Sequence, residues 1–399
     1  MRFIIIGNGV AGVSAAQILA KEAPKGSRIT QFTAEEYTYY PRPKLYEFLR
    51  QDLSIKDVIA RDLSWYEKAN IDLHVQEEVE SIDPEKKQIT TSNGTYAYDE
   101  LLLATGAECF CPVIPGIDLK HFYTMRSLDD ALNIRAKFKA ARSVVIIGGG
   151  ILGIEVACAC AERGLDTSIV EFFPYLLPRQ LDVEGGQILQ HLIEAQRKIK
   201  FYLNARVEKI IGEEQVEAIR LQNGTEIHAD LVIACTGIAP RIRIAKEAGV
   251  KVNRGVIVND YLESSVKGIY AAGDIAEYKG RVYGLIPPSM EQARIAAHNM
   301  ISNRSQKYQG SMISATIKVA DLLVTSLGFT GREEEKHYDS KKYYNPSTSE
   351  YVKFFTLNDQ IKAALILGTR KGIPLIRQVI DKSFLANQEE IKKIFPNLS

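Results

Sequence analysis

Two β-branched apolar runs stand out along the chain, residues 3–6 (Phe-Ile-Ile-Ile) and 144–147 (Val-Val-Ile-Ile), and each breaks at once into glycines. After the first comes Gly7-Asn8-Gly9-Val10-Ala11-Gly12, then Ala15, Ala16, Ile18 and Leu19 at helical spacing. After the second comes Gly148-Gly149-Gly150-Ile151-Leu152-Gly153, then small and apolar residues over 154–161. A short apolar run bounded by glycine reads as a buried strand, and apolar residues three and four apart read as one face of a helix. The pattern predicts strand, turn and helix twice, about 140 residues apart, a spacing that suits a duplicated unit rather than a short-period repeat.

The duplication extends beyond the glycines. Residues 28–33 and 167–171 read as second strands, and 101–106 and 231–237 are again a pair, each a buried strand ending at glycine. Asn93-Gly94 and Asn223-Gly224 are hairpin turns between β-patterned residues, so each unit carries a small antiparallel excursion. Pro287-Pro288-Ser289 signals the start of a helix over 290–300. From residue 311 the pattern changes to strands at 315–319, 351–357 and 360–367, the last two separated by Asn358-Asp359, and helices at 372–382 and 388–394. The expected fold class is α/β, with two Rossmann-like dinucleotide-binding domains and a small α+β C-terminal domain. Cys109-Phe110-Cys111-Pro112-Val113-Ile114-Pro115-Gly116 interrupts regular structure and serves as a linker, which sets the expected domains at 1–112 with 243–310, 113–242, and 311–399.

Composition narrows the function classes. Fifty Lys plus Arg against 49 Asp plus Glu leave a net charge of +1, which provides no overall field for nucleic acid or an anionic membrane. The apolar stretch 144–161 contains four glycines and Glu155, so it reads as a soluble strand and helix rather than a membrane span. The run at 3–6 is too short for a secretory h-region, and five cysteines, an odd number, argue against a disulfide scaffold; a cytoplasmic, reducing setting is expected. Cys158 and Cys160 lie two apart on a helix and face about 200° apart, unsuited to a shared metal. Cys109 and Cys111 have no second pair or His at metal spacing, and His74, His191, His228, His298 and His337 read as lacking partners. No metal site is expected.

The chemistry sits in the glycine turns. In G-x-G-x-x-G after a strand, the first glycine allows the tight turn, the second lets the backbone approach a pyrophosphate, and the third lets helix and strand pack closely. The phosphates then face the unpaired N–H groups of the helix N-terminus. Each unit should continue to an acid at the end of its second strand that binds an adenosine ribose. Glu171 fits in the second unit; in the first, only Glu35 or Glu36 lies near the strand end.

With these motifs, and with Ala104-Thr105-Gly106, Glu155, Thr236-Gly237 and Ile269-Tyr270-Ala271-Ala272-Gly273-Asp274, residues 1–305 resemble the FAD-dependent pyridine nucleotide-disulfide oxidoreductases. The resemblance implies FAD in the first unit, NADH in the second, and Asp274 bonded to the ribityl chain, although Asp274 also reads as a helix N-cap. The implied cofactor-binding residues are Gly7, Gly9, Val10, Ala11, Gly12, Glu35, Arg42, Lys44, Val79, Ala104, Thr105, Gly106, Arg126, Gly273, Asp274 and Ile286, with Gly148, Gly150, Ile151, Leu152, Gly153, Glu155, Glu171 and Gly237 in the second unit or at its edges. Arg42 and Lys44 also read as members of a solvated loop. The Pro287-Pro288-Ser289 helix is implied to aim its N-terminus at the flavin.

Residues 39–49, Tyr-Tyr-Pro-Arg-Pro-Lys-Leu-Tyr-Glu-Phe-Leu, occupy the position where disulfide and peroxide reductases of this family carry their redox cysteine, and they contain none. The absence of a thiolate there argues strongly against dithiol exchange and Cys-dependent peroxide reduction. The Arg-Pro-x-Leu pattern instead resembles ferredoxin and rubredoxin reductases and the flavin part of nitrite reductases; Arg179-Gln180-Leu181-Asp182 favours the rubredoxin reductases. Related reductases pair a Lys near the flavin with the Glu found here at 155, but Glu47 stands at that position, so no side chain is assigned a catalytic proton. The resemblance implies an enzyme, a monomer or homodimer, that passes electrons to a small rubredoxin-like acceptor. An NADH oxidase, a nitrite-reductase-type flavoprotein and a flavin-bearing NADH sensor are the alternatives. Glu171 predicts NADH over NADPH, and the eight cations against three anions over 340–382 predict a docking surface for an acidic acceptor.

Overall fold

The protein is described by a computed structural model over residues 1–302, 304–328 and 337–396. It divides into two compact units, one of Met1–Phe48, Leu53–Glu108 and Ile238–Ser311, the other of Leu49–Asp52, Cys109–Gly237 and Met312–Ser399.

The first unit is built on a parallel sheet in the order Ile269–Ala271, Glu100–Leu103, Arg2–Ile6, Arg28–Phe32, Ile71–His74. Ile4 sits in register with Thr30 on one side and Leu101 on the other. Phe3, Ile5, Leu101, Leu102 and Leu103 are fully buried, as strands of a sheet covered on both faces require. The helix Val10–Glu22 packs along the helix Ile286–Ser302, and small residues on each (Ala15, Ala16, Ala293, Ala296, Ala297) permit close approach. That second helix starts four residues before the expected 290. Pro287 and Pro288 fall in its first turn, where the missing N–H would have had no partner, so they begin the helix rather than precede it. The Asn93-Gly94 turn lies in an antiparallel sheet of Val79–Asp83, Gln88–Thr91 and Gly94–Ala97.

The second unit repeats the scheme, with a parallel sheet in the order Lys200–Tyr202, Asp166–Val170, Ser143–Ile147, Leu231–Ala234, Phe122–Thr124 and an antiparallel excursion Val207–Ile211, Ala218–Leu221, Glu226–His228. Its last part is an antiparallel sheet ordered Ser314–Val319, Leu322–Leu327, Gln360–Leu367, Glu350–Leu357, Asp339–Asn345, followed by helices Ile373–Val379 and Phe384–Ile394. Alternation assigns its faces. Val352 and Phe354 pack with Ile361, Ile376, Val379 and Ile391, while the intervening Tyr351 and Lys353 reach Asp182 at the start of the Val183–Arg197 helix. No helix among the described residues is long and apolar enough to cross a membrane.

Candidate functional site

The two glycine turns have the same architecture. Gly7 and Gly148 both adopt φ +116°, and a Cβ on Gly7 would lie 2.1 Å from Ala104 O, one on Gly148 2.5 Å from Cys235 O. A Cβ on Gly12 would lie 2.0 Å from Gly7 O, and one on Gly153 1.9 Å from Gly148 O. These four positions therefore hold strand, neighbouring strand and helix in contact. Gly9 and Gly150 differ: nothing lies within 4 Å of a Cβ built on either. Both are helix N-caps with no side-chain cap and no acid in the first turn. The helices Val10–Glu22 and Ile151–Glu162 thus present uncapped N–H groups across open space, the donor set a pyrophosphate needs.

The first cradle is completed by parts distant in sequence. Gly273 N donates to Gln292 Oε1 at 2.9 Å, and a Cβ on Gly273 would meet Ala11 Cβ at 2.9 Å, so the Gly-Asp turn, the first helix and the Ile286–Ser302 helix converge. Asp274 sits in a turn between the strands Ile269–Ala271 and Ala276–Tyr278 and caps no helix, which removes the N-cap reading. Thr105 Oγ1 donates to Arg241 O at 3.3 Å. Val79 is buried at the start of its strand, and Ile286, half exposed, opens its helix. Two residues unannounced by the motif, Gln31 and Tyr66, also act here. Gln31 Nε2 donates to Gly7 O at 2.9 Å, and Tyr66 Oη donates to Asn8 Oδ1 at 2.8 Å, fixing both sides of the turn.

Glu35 does not sit at the strand end as Glu171 does. Its carboxylate is bound by the Arg42 guanidinium and by Tyr40 Oη. Burial alone would raise its pKa, but Arg42 and then Tyr40 hold it below the ordinary value. Lys44 Nζ lies 2.6 Å from Glu47 Oε2 on the helix Lys44–Arg50. Arg42 and Lys44 are therefore each held in an ion pair, Lys44 at the start of a helix rather than in a loop and with Glu47 three residues on as its partner.

In the second cradle, Glu171 follows the strand Asp166–Val170 and is 6% exposed. Its Oε2 accepts from Gly149 N and its Oε1 from Phe173 N at 2.8 Å. The carboxylate is thus locked against the middle of the glycine turn, and burial raises its pKa. Glu155 lies within the Ile151–Glu162 helix, 8% exposed, and its Oε1 has no hydrogen-bond partner. Burial pushes its carboxyl up to about 7 against the opposing pull of Arg50. Beside it runs an ion network: Arg50 and Arg197 both bind Glu162 and Asp321, with Arg197 Nη1 to Glu162 Oε1 at 2.5 Å and Lys318 Nζ to Asp321 Oδ1 at 2.8 Å. Gly237, at φ +124°, ends the unit, and Arg126 N donates to Asp130 Oδ2 at 2.7 Å ahead of the helix Leu128–Lys137.

Four of the five histidines read as unpartnered, His74, His191, His228 and His298, do have partners. His74 Nδ1 lies 2.8 Å from Glu77 Oε2, His298 Nδ1 3.1 Å from Glu22 Oε2, His191 Nδ1 2.8 Å from Gln187 O and His228 Nδ1 2.5 Å from Glu217 O. The His298 contact links two helices, a relationship invisible in one dimension, whereas His191 bonds within its own helix. Burial raises the thiol pKa of all five cysteines, Cys158 to about 12, so none is poised as a thiolate. Among the described residues no group of His, Cys, Asp and Glu has the geometry of a metal site.

Four of the eight 340–382 cations are answered by carboxylates. Lys342 pairs with Glu184 at 2.9 Å, Lys353 with Asp182 at 2.7 Å, Lys362 with Asp381 at 2.9 Å and Lys371 with Glu350 at 3.2 Å. Two of those acids come from outside the segment, so the local excess counted along the chain overstates the positive surface.

Residues 1–299 match the family described as pyridine nucleotide-disulphide oxidoreductase. The chain is 36% identical to a nitrite reductase [NAD(P)H] of Bacillus subtilis over 99% of its own length and 49% of that protein's. It is 32% identical to the NADH-rubredoxin oxidoreductase of Clostridium acetobutylicum over 96% of this chain and 95% of that one. The crystal structure of NADH:rubredoxin oxidoreductase from Clostridium acetobutylicum superposes with a TM-score of 0.78 at 29% identity, covering 96% of each chain. A NAD-dependent persulfide reductase from A. fulgidus shares the fold at a TM-score of 0.90 and 23% identity, over 98% of this chain and 79% of that one. The chain spans about half the length of the Bacillus subtilis relatives it matches, 49% and 47%. Two open cradles of one design, in a sequence matched over three quarters of its length, make this chain a member of the pyridine nucleotide-disulphide oxidoreductase family.

Proposed function

We propose that this chain is an FAD-dependent NADH reductase that delivers electrons singly to a small redox protein such as rubredoxin. The observation that carries the reading is the pair of uncapped helix N-termini at Gly9 and Gly150, each facing open space while the other glycines of the two turns (Gly7, Gly12, Gly148, Gly149 and Gly153) are packed against backbone or side chain. Bound FAD supplies the chemistry, accepting a hydride from NADH and releasing electrons one at a time. The chain supplies alignment: N–H groups for each pyrophosphate, the Glu171 carboxylate for the adenosine ribose of NADH, and Glu155 for the nicotinamide end. Cysteine is absent from residues 39–49, and the five thiols elsewhere are held protonated by burial, which favours electron transfer out to a partner over dithiol exchange.

The acceptor assignment is supported by the identity to the clostridial rubredoxin reductase over nearly the whole of both chains. A second reading, delivery to a nitrite-reducing centre carried elsewhere, is supported by the identity to half of the Bacillus subtilis nitrite reductase. Stopped-flow absorbance separates them. The purified yellow protein should bleach on mixing with NADH, and addition of oxidised rubredoxin should restore the flavin spectrum within the turnover time. Bleaching without rubredoxin-dependent recovery would remove rubredoxin as acceptor, and no bleaching with NADH would remove the reductase reading itself.

A further inference from the structure

The strand end that carries Glu171 has a charged neighbour supplied 35 residues later in the chain. Ala205 N donates to Glu171 O and Asn204 N to Phe173 O, both at 3.0 Å, so the 204–206 segment is stitched along 171–173. Gln222 N donates to Arg206 O at 2.9 Å and fixes the backbone of Arg206 from its other side. The Arg206 guanidinium carbon then stands 4.2 Å from the centroid of the Phe172 ring. Phe172 is 47% exposed and Arg206 is exposed, so this pair is no part of a core. Glu171 beside it is turned inward, with each carboxylate oxygen already accepting a backbone N–H. The strand end therefore shows solvent a planar cation resting on an aromatic ring, while its anion is buried against amides.

A guanidinium held over a ring is oriented in advance, and its donor fork suits a phosphate. We propose that Arg206 is a specificity-determining residue of the second cradle that binds the 2′-phosphate of NADPH, so that this site takes NADPH as well as NADH. The proposal rests on the reading of that cradle as a nicotinamide dinucleotide site. It departs from the preference for NADH that Glu171 predicts from the sequence, because Arg206 would offset the repulsion of a second phosphate by that carboxylate.

Calorimetric titration of the FAD-loaded protein with 5′-AMP and with 2′,5′-ADP tests it without turnover. In the native protein 2′,5′-ADP should bind within about fivefold of 5′-AMP, or more tightly. Arg206→Ala should weaken 2′,5′-ADP relative to 5′-AMP by at least about fivefold, and Arg206→Lys should keep part of the difference, because the charge survives without the fork. A native preference for 5′-AMP above that limit, or a relative change in Arg206→Ala below it, overturns the proposal. If neither ligand binds the FAD-loaded native protein, the dinucleotide reading of the cradle falls instead, and the proposal with it.

Discussion

Lys353 Nζ lies 2.7 Å from Asp182 Oδ2, and the same oxygen accepts from Tyr351 Oη at 2.7 Å. Asp182 is also the N-cap of the Val183–Arg197 helix, its Oδ1 accepting from Gly185 N at 2.9 Å. One buried carboxylate thus caps a helix of the second dinucleotide fold and anchors the sheet of the C-terminal part. Asp182 is 2% exposed, so removing the cation strands a buried charge. Lys353→Ala should cost about 3 kcal/mol, measured as a fall in the urea midpoint of the flavin-loaded protein. Lys353→Ala with Asp182→Asn should recover part of that loss, since the amide can still cap the helix without charge. A double variant no more stable than the single would mean that packing by the Lys353 stem, rather than charge, sets the cost.

The glycines of the first cradle separate binding from folding. Gly9→Ala places its Cβ in open space at φ −80°, a conformation any residue adopts, so the variant should fold normally yet copurify with little flavin. Gly12→Ala drives a Cβ to within 2.0 Å of Gly7 O, which forces helix and strand apart and should lower thermal stability. Absorbance at the flavin band and a melting curve on each variant read the two effects independently. Full flavin content in Gly9→Ala would argue against pyrophosphate contact at that turn.

Much of this architecture is legible in the chain. The paired glycine turns, their strands and the Asn-Gly hairpins are specified locally, because each needs particular residues at fixed offsets. The hairpin at Asn358-Asp359, with φ of +49° and +64°, is visible for the same reason. The equivalent turn at Ala320-Asp321, with φ of +49° and +66°, is not, since alanine carries no turn signal, and the strand Leu322–Leu327 is hidden with it. Contacts across the fold are also hidden. Arg206 meets Phe172 only because the 204–206 segment pairs with the strand end, and Glu35 is diverted to Arg42 by a bend in the chain that no periodicity announces.

Glu155 gives the protein a pH signature. Its carboxyl, pushed up to about 7 by burial, keeps a proton in the folded state that the unfolded chain loses above its ordinary value of 4.5. Between those values the folded state binds more protons, so stability falls as pH rises and levels off above the folded pKa. Glu155→Gln removes this loss. Relative to the native protein, the variant should gain stability between pH 5 and pH 8 by up to about 3 kcal/mol, read as the change in the difference of urea midpoints. Glu100, also pushed up to about 7 by burial, titrates in both proteins and cancels. A difference independent of pH would mean that Glu155 is ionised throughout.

Acceptor docking can be tested with the cations that the fold leaves unanswered. Lys362 and Lys371 already hold Asp381 and Glu350, so reversing them would break internal pairs and confuse a docking effect with a structural one. Lys341, Arg370 and Lys382 are exposed and have no carboxylate within ion-pair distance among the described residues. If an acidic redox protein is steered to this part of the molecule, the acceptor half-reaction should slow as ionic strength rises, because exposed charges are screened over about 10 Å at 0.1 M salt. Reduction by NADH involves the cradles alone and should be nearly indifferent to salt. Replacing Lys341, Arg370 and Lys382 by Glu should slow rubredoxin reduction about tenfold at low salt and flatten its salt dependence, with the NADH step within about twofold of native. Stopped-flow measurement of both half-reactions across a salt series decides it: a rubredoxin rate that ignores salt, or a triple variant matching the native protein, would move the docking surface away from the C-terminal sheet and helices.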